Sequence, residues 1–168
     1  MGRSGTPVYT GVLDLTTRLE LMFLGQFYHN IDDKGRLTLP ARFRELLAED
    51  NGAYVMHGFD QNLMVLTSSM FGAIYERITK MSLTEPSARQ LRRMIFSSAA
   101  QVDFDKNGRI LIPQFLRDAA SITGDAVIVG AGNYIEIWTP KLWTVETDQL
   151  NNPEITSDRF AALDLSSG

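Results

Sequence analysis

The chain has 168 residues, of which 44% are hydrophobic and 21% are charged, and its formal net charge is −4. This length and composition are typical of a globular protein with one ordinary domain or two very small ones. No apolar run approaches the ~20 residues that span a bilayer. The absence of cysteine excludes disulfide scaffolds, thiolate zinc sites and cysteine nucleophiles.

The first 21 residues do not resemble a secretory signal. Asp14, Arg18 and Glu20 interrupt the apolar core that a cleavable signal needs. A cytoplasmic location is therefore expected.

One short pattern occurs twice in the chain. DDKGRLTLP begins at Asp32 and DKNGRILIP begins at Asp105, 73 positions later. Both read Asp, two variable residues, Gly-Arg, apolar, any residue, apolar, Pro. The negative total charge does not advertise nucleic-acid binding, but the window from Asp32 to Arg44 carries a net charge of +2. Positive charge is thus concentrated on the repeated pattern.

Each copy of the pattern predicts a β-hairpin with a three-residue loop that ends in glycine. Such loops place their last residue in the left-handed region, which glycine adopts without a Cβ clash. Asp32 should then lie opposite Arg36, and Asp105 opposite Arg109, at the base of each loop. The alternation that follows predicts Leu37, Leu39, Ile110 and Ile112 inside, with Thr38 and Leu111 facing the other way.

A short helical segment follows each pattern, ARFRELLAED after Pro40 and QFLRDAASIT after Pro113. Proline suits the first position of a helix, so both helices are predicted to begin at the proline. Phe43, Leu46 and Leu47 form an apolar stripe at helical spacing.

Two pairs of apolar strands complete the duplication. AYVMHG at 53–58 matches AVIVGA at 126–131, and LMVLT at 63–67 matches IEIWT at 135–139. Each unit of about 45 residues is too small to bury a good core alone. Two halves packed around a pseudo-twofold axis, with one shared core, are therefore predicted.

Two helices are predicted between the units. MFGAIYERITKM presents one apolar face, formed by Met70, Phe71, Ile74, Tyr75, Ile78 and Met81. In SLTEPSARQLRRMIFSS, Thr84 is the predicted N-cap and Pro86 lies in the first turn.

The second of these helices has an apolar side and a basic side. Its apolar side carries Leu91, Met94 and Ile95, and its basic side carries Arg89, Arg92 and Arg93. The arginine face is expected to be a solvated surface, with a subunit contact or a DNA contact as the alternative. The polar, acidic tail from about Asn151 predicts a short helix or disorder.

An arginine held by an aspartate at a hairpin tip has two interpretations. A positioned guanidinium suits bidentate contact with a phosphate or with guanine. A surface ion pair that braces the turn is the simpler alternative. Duplication preserves structural residues as well, so repetition alone leaves both open.

From Met22 onward, MFLGQFYHNIDDKGRLTLPARFRELL resembles the start of the MraZ family of bacterial transcriptional regulators, and the second Asp-x-x-x-Arg copy falls where that family has it. The resemblance covers nearly all of 22–145. It implies an α+β fold, mainly β, in which duplicated AbrB/SpoVT-like swapped-hairpin units form a pseudo-twofold β-barrel core. Helices would lie between and after the units.

The resemblance also implies a function. The family binds tandem, short G-rich promoter repeats of its own division and cell-wall gene cluster as a ring-shaped homo-oligomer. The implied DNA-binding residues are Asp32, Lys34, Arg36, Asp105, Lys106 and Arg109, with Arg42 as a further candidate that Phe115 replaces in the second copy. The arginines would read bases or phosphates, and the aspartates would orient them. A nucleoid-associated protein without cofactor, metal or small-molecule substrate is expected.

The expected organisation follows from this alignment. It comprises an N-terminal extension or expression remnant at 1–21, a first unit at 22–71, a helical connector at 72–98, a second unit at 99–145 and an acidic tail at 146–168.

Other classes of function fit the sequence less well. His29 and His57 share no short motif, the chain lacks the Gly-x-Ser-x-Gly turn of a hydrolase, and Gly130-Ala131-Gly132 lacks the third glycine of a dinucleotide loop. The chain is therefore not expected to be an enzyme. An oligomeric scaffold without DNA contact, or an antitoxin-like regulator of the same fold, remains the alternative.

Overall fold

The computed structural model describes residues 22–163, so the prediction for residues 1–21 lies outside the described residues. The strands are β1 (Gln26–Asn30), β2 (Arg36–Thr38), β3 (Ala53–His57), β4 (Leu63–Thr67), β5 (Ala100–Val102), β6 (Arg109–Leu111), β7 (Asp125–Gly130) and β8 (Ile135–Trp138). The helices are α1 (Ala41–Glu49), α2 (Ser68–Thr79), α3 (Pro86–Ser98), α4 (Gln114–Ala119), α5 (Pro140–Leu150) and α6 (Pro153–Ala161). This mixture of helices and strands confirms the predicted α+β class.

The strands form a six-stranded antiparallel sheet, ordered β1-β7-β8-β4-β3-β5, and a two-stranded antiparallel ribbon of β2 and β6. Exchanging each strand for its counterpart in the other half reverses the sheet order and leaves the pairing unchanged. The predicted pseudo-twofold relation is therefore present in the hydrogen-bonded topology itself.

The first strand of each half pairs with the other half. β1 lies against β7, and β5 lies against β3. β2 pairs with β6, so each turn joins two strands that both have partners in the opposite half. A single bridge between Ile31 and Leu37 closes the base of the first turn. This exchange is the swapped-hairpin arrangement that the resemblance implies.

The pseudo-twofold axis passes between two pairs of equivalent residues. Leu37 lies opposite Ile110 in the ribbon, and Met64 lies opposite Glu136 in the sheet. Burial raises the pKa of the Glu136 carboxyl, although the side chains of Trp138 and Asn62 donate hydrogen bonds to it at 3.3 and 2.8 Å. The two halves therefore share one backbone arrangement but differ in chemistry on the axis.

The main core lies between the ribbon, the short helices and the sheet. Leu37, Leu39, Ile110 and Ile112 are buried in it, as the alternation predicts, whereas Leu111 is 55% exposed. A second cluster forms where α2 and α3 cover β3 and β4, and Ile78 and Ile95 are its buried helix residues.

Three predicted helix starts are wrong by one residue. Pro40 and Pro113 occupy N-cap positions, with ψ of 142° and 146°, so α1 and α4 begin one residue later. Their extended backbone continues the preceding strand rather than entering the helix. Thr84 is not the N-cap of α3, since Glu85 holds that position and the Thr84 hydroxyl pairs with Ser82 Oγ at 2.7 Å. Pro86 is in the first turn, as predicted.

The arginine side of α3 is only partly a solvated surface. Arg92 donates a hydrogen bond to the Thr79 carbonyl at 3.0 Å, and Arg89 donates one to the Leu83 carbonyl at 2.8 Å. Both therefore brace the connection between α2 and α3, and Arg93 is the exposed member of the three.

The C-terminal part of the described chain is helical. α5 and α6 pack against each other, and α6 begins with the Asn152 side chain accepting the Glu154 N–H at 3.1 Å. A short helix, one of the two predicted outcomes, is therefore present in the tail. Among residues 22–163, no helix has the length and apolarity needed to cross a membrane.

Truncation of Leu37 tests the contribution of the axis to stability. Leu37→Ala should lower the free energy of unfolding by about 2–5 kcal/mol, because it empties a fully buried site. Denaturant unfolding at one fixed protein concentration measures this loss. Leu111→Ala on the ribbon's outer face is the matched control and should cost under about 0.5 kcal/mol. Equal losses would contradict the placement of the core.

Candidate nucleic-acid interface

The first turn, Asp32–Arg36, is built around the carboxylate of Asp32. Its Oδ1 accepts the backbone N–H groups of Lys34 and Arg36 at 3.0 and 2.9 Å. Its Oδ2 accepts the Arg36 Nε–H at 2.6 Å. Gly35 has a φ of +86°, which is the left-handed conformation predicted for the last loop residue. One aspartate thus fixes the turn and orients the arginine.

The second turn, Asp105–Arg109, repeats this geometry. Asp105 Oδ1 accepts the N–H groups of Asn107 and Arg109, both at 2.9 Å, and Oδ2 accepts the Arg109 Nε–H at 2.8 Å. Gly108 has a φ of +73°. The two copies therefore have the same turn conformation as well as similar sequences.

Both aspartates are held in the charged form. The backbone N–H of Arg36 lowers the pKa of Asp32, and the Arg36 side chain lowers it further. The backbone N–H of Arg109 lowers the pKa of Asp105 in the same way. Each arginine is therefore fixed by an ionised carboxylate at neutral pH.

The two turns meet across the pseudo-twofold axis. Arg109 Nη1 lies 3.8 Å from Asp32 Oδ2, so Asp32 contacts the arginines of both turns. The arginine side chains of Arg36 and Arg109 keep 36% and 26% of their surface exposed. This places two oriented guanidinium groups side by side on one surface.

The outer face of the ribbon joins the two turns. Arg36 lies directly opposite Leu111, and Thr38 lies directly opposite Arg109. Because Leu37 and Ile110 point into the core, the alternation of the strands places these four side chains on the outer face. We call this four-residue surface the ribbon face.

Two structural arginines were missed by the sequence analysis. Arg44 donates a hydrogen bond to the Asn107 carbonyl at 3.5 Å and lies against Gly108. Arg117 donates one to the Ile112 carbonyl at 3.1 Å and lies against Gly35. Each arginine packs on the turn of the opposite half. Their common offset of 73 positions could have indicated a paired role.

The remaining candidates lie around these turns. Lys34 and Lys106 are exposed but occupy different positions in their loops, because Lys34 corresponds to Asn107 and Lys106 to Asp33. Arg42 lies on α1, with its side chain 50% exposed and 3.6 Å from Glu45. The lysines and Arg42 therefore do not form symmetric pairs.

The described residues do not bring the two histidines together and do not form a metal site. His29 and His57 lie on β1 and β3, which are separated by three strands in the sheet. Within 22–163, no group of three or more histidine or acidic side chains could hold a metal ion.

Strand exchange between two similar units defines the class of protein. The chain is a single-chain, duplicated swapped-hairpin protein with an arginine-bearing turn in each half. The family model described as "MraZ protein, putative antitoxin-like" matches residues 22–94 and 95–164. The chain belongs to the MraZ family, a family of transcriptional regulators rather than enzymes.

Full-length relatives agree with the family model. A protein of Herpetosiphon aurantiacus named "Transcriptional regulator MraZ" is 44% identical over 127 residues, which cover 76% of this chain and 87% of the relative. The protein of that name in Thermomicrobium roseum is 42% identical over 84% of this chain and 99% of its own length. The one in Finegoldia magna is 39% identical over 86% of this chain and all of its own length.

Substitution of the turn glycines should have unequal effects. A Cβ at Gly35 would lie 2.7 Å from the Ile112 carbonyl, which is backbone, whereas the three atoms nearest to a Cβ at Gly108 all belong to the flexible Arg44 side chain. Gly35→Ala should therefore destabilise more than Gly108→Ala. Gly124→Ala is the control, since Gly124 has a φ of +90° in open space and should cost about 1–2 kcal/mol.

The arginine contact has its own test. Arg44→Ala should reduce the cost of Gly108→Ala to that of Gly124→Ala, whereas Arg117→Ala should leave most of the cost of Gly35→Ala. Denaturant midpoints of the single and double variants measure both effects. Equal rescue at the two glycines would contradict the backbone contact at Gly35.

The lowered pKa values predict a loss of stability in acid. A carboxylate whose pKa is lowered by folding stabilises the fold above its ordinary value of 3.8, and this contribution disappears as pH falls through the folded-state value. Asp32→Asn should therefore lower the unfolding midpoint at pH 7, and its difference from wild type should shrink below about pH 4.

Asp105→Asn is the comparison variant, and its effect at pH 7 should be smaller, because Asp105 contacts one arginine and Asp32 contacts two. Unfolding curves at several pH values measure the difference. A pH-independent effect of Asp32→Asn would contradict the assignment to the ionised carboxylate.

Proposed function

We propose that this protein regulates transcription by binding double-stranded DNA through the ribbon face and the two turns. The observation that carries the proposal is the pair of adjacent arginines, each oriented by an aspartate and connected through Asp32. The membership in a family of transcriptional regulators supports it independently.

The geometry suits a DNA groove. A two-stranded antiparallel ribbon fits the major groove of B-DNA, and arginine is the commonest bidentate reader of guanine there. The aspartates already restrict the side-chain conformations of Arg36 and Arg109, so less conformational entropy is lost when these arginines bind DNA. Lys34 and Lys106, exposed in the loops, are suited to phosphates beside the groove.

The proposed target is a set of tandem, short G-rich repeats in the promoter of the protein's own division and cell-wall gene cluster. One ribbon face offers few contacts, and a ring-shaped homo-oligomer would present several of them to consecutive repeats. Linked binding raises the effective concentration of each later contact, so tandem repeats would be selected over single copies. This role corresponds to a cytoplasmic, nucleoid-associated protein.

Alanine substitution of the two arginines tests the proposal. Arg36→Ala and Arg109→Ala should each weaken binding to repeat-bearing DNA by about 5-fold to 150-fold, which corresponds to the ~1–3 kcal/mol of one bidentate base contact. Lys34→Ala should instead lower the salt dependence by about one phosphate contact. Titration of labelled DNA at two salt concentrations measures both.

Arg93→Ala is the matched control, because Arg93 is an exposed arginine that belongs to α3 and to neither turn. Light scattering on the same samples should give one oligomeric mass for all variants. If both arginine variants bound the DNA as tightly as the wild type does, the ribbon face would not be the DNA-binding surface. A wild type that binds no repeat DNA at low salt would favour an oligomeric scaffold instead.

A further inference from the structure

We propose that Leu111 is a specificity-determining residue that contacts the C5-methyl group of a thymine in the major groove. The inference rests on the proposed function, since it places the ribbon face against DNA. It goes further by assigning a base to an apolar side chain outside the Asp-x-x-x-Arg motif.

Leu111 is the apolar member of the otherwise polar ribbon face. It is 55% exposed on the ribbon face, between two turns rich in charge, and directly opposite Arg36. Its counterpart in the other half is Thr38, which lies opposite Arg109 and is only partly exposed. A large aliphatic side chain held outward on a strand leaves apolar surface in water unless a partner covers it.

The same half carries a second apolar replacement. Phe115 on α4 is 51% exposed, and its counterpart in the first half is Arg42 on α1. At these two pairs of equivalent positions, the first half has the polar side chains, Thr38 and Arg42, and the second half has the apolar ones, Leu111 and Phe115. The backbone is nearly symmetric here, but the chemistry that it presents is not.

The chemistry of the major groove indicates which group of the DNA would contact Leu111. The thymine methyl is the apolar group that base edges present there, and aliphatic side chains recognise it by contact. Directly opposite residues of an antiparallel pair have Cβ atoms about 5 Å apart, which is less than two steps of ~3.4 Å between successive bases. Leu111 would thus contact a thymine next to the base or phosphate bound by Arg36.

An unequal ribbon face has a consequence for the DNA site. Identical halves related by a twofold axis would match a palindromic site. With leucine on one side and threonine on the other, the two orientations on DNA differ in energy. Each subunit would therefore bind a directional, non-palindromic repeat.

The experiment combines a protein substitution with a single-group change in the DNA. Promoter-repeat DNA is prepared with thymine or with deoxyuridine, which lacks only the C5-methyl group. Wild type should bind the deoxyuridine DNA about fourfold more weakly for each subunit in contact, because one buried methyl is worth about that factor. Leu111→Ser, which leaves a small polar side chain without a methyl group at this position, should bind both DNAs equally.

A reciprocal variant provides a second measurement. Thr38→Leu places leucine on both sides of the ribbon face and should increase the sensitivity to deoxyuridine. Circular dichroism and light scattering check that both variants keep the fold and oligomeric mass of the wild type.

The outcomes separate this inference from the proposed function. Equal losses of the wild type and Leu111→Ser on deoxyuridine DNA, including no loss at all, would overturn the thymine contact. Arginine-dependent binding would then still support the proposed function. Failure of the wild type to bind thymine-containing repeats would overturn the proposed function, and the role of Leu111 with it.

Discussion

The exchange of strands between the two halves is the constraint on which the rest of this structure depends. The first half retains only the β3–β4 pair and the single bridge between Ile31 and Leu37 within itself, whereas β1 and β2 pair with β7 and β6 of the second half. The turn closes with its own hydrogen bonds, whereas the strands on either side of it are held by the other half. The same exchange brings Arg109 within 3.8 Å of Asp32. The two turns therefore share one surface, because the strands that flank each turn pair with strands of the opposite half.

Charge and backbone conformation act together at the turns. Each aspartate accepts two backbone N–H groups and one guanidinium N–H, so the group that closes the turn also aims the arginine. Glycine is required at the end of each loop, where φ is positive and an arginine of the opposite half lies close. The positions of Arg36 and Arg109 consequently depend on how Arg44 and Arg117 pack against the turns.

Much of this arrangement could be predicted from the repeat in the sequence. The spacing of Asp32, Gly35 and Arg36 predicts the turn, its ion pair and the positive φ, since all three depend on local geometry. The alternation after Arg36 predicts which side chains are buried, because the period of a strand is two.

The contacts that the sequence did not reveal are those made across the axis. The packing of Arg44 on Gly108 and of Arg117 on Gly35 depends on which half supplies each helix, and local patterns carry no such information. One local contact was missed as well, since the Thr84 hydroxyl pairs with Ser82 Oγ and α3 begins with Glu85 at its N-cap. The DNA-binding role of the turn residues remains a prediction.

The pair of Met64 and Glu136 shows what joining two such units in one polypeptide permits. In a dimer of identical chains, a residue on the twofold axis must face its own copy, so a glutamate at that position would confront a second glutamate in a partly buried site. Here methionine faces glutamate instead, and Asn62 and Trp138 each donate a hydrogen bond to one oxygen of the Glu136 carboxyl. Because the two halves are joined in one chain, a residue on the axis does not have to pack against a copy of itself. Equivalent positions in the two halves can therefore carry different residues while the backbone arrangement stays the same. The link also makes the pairing of the halves independent of protein concentration.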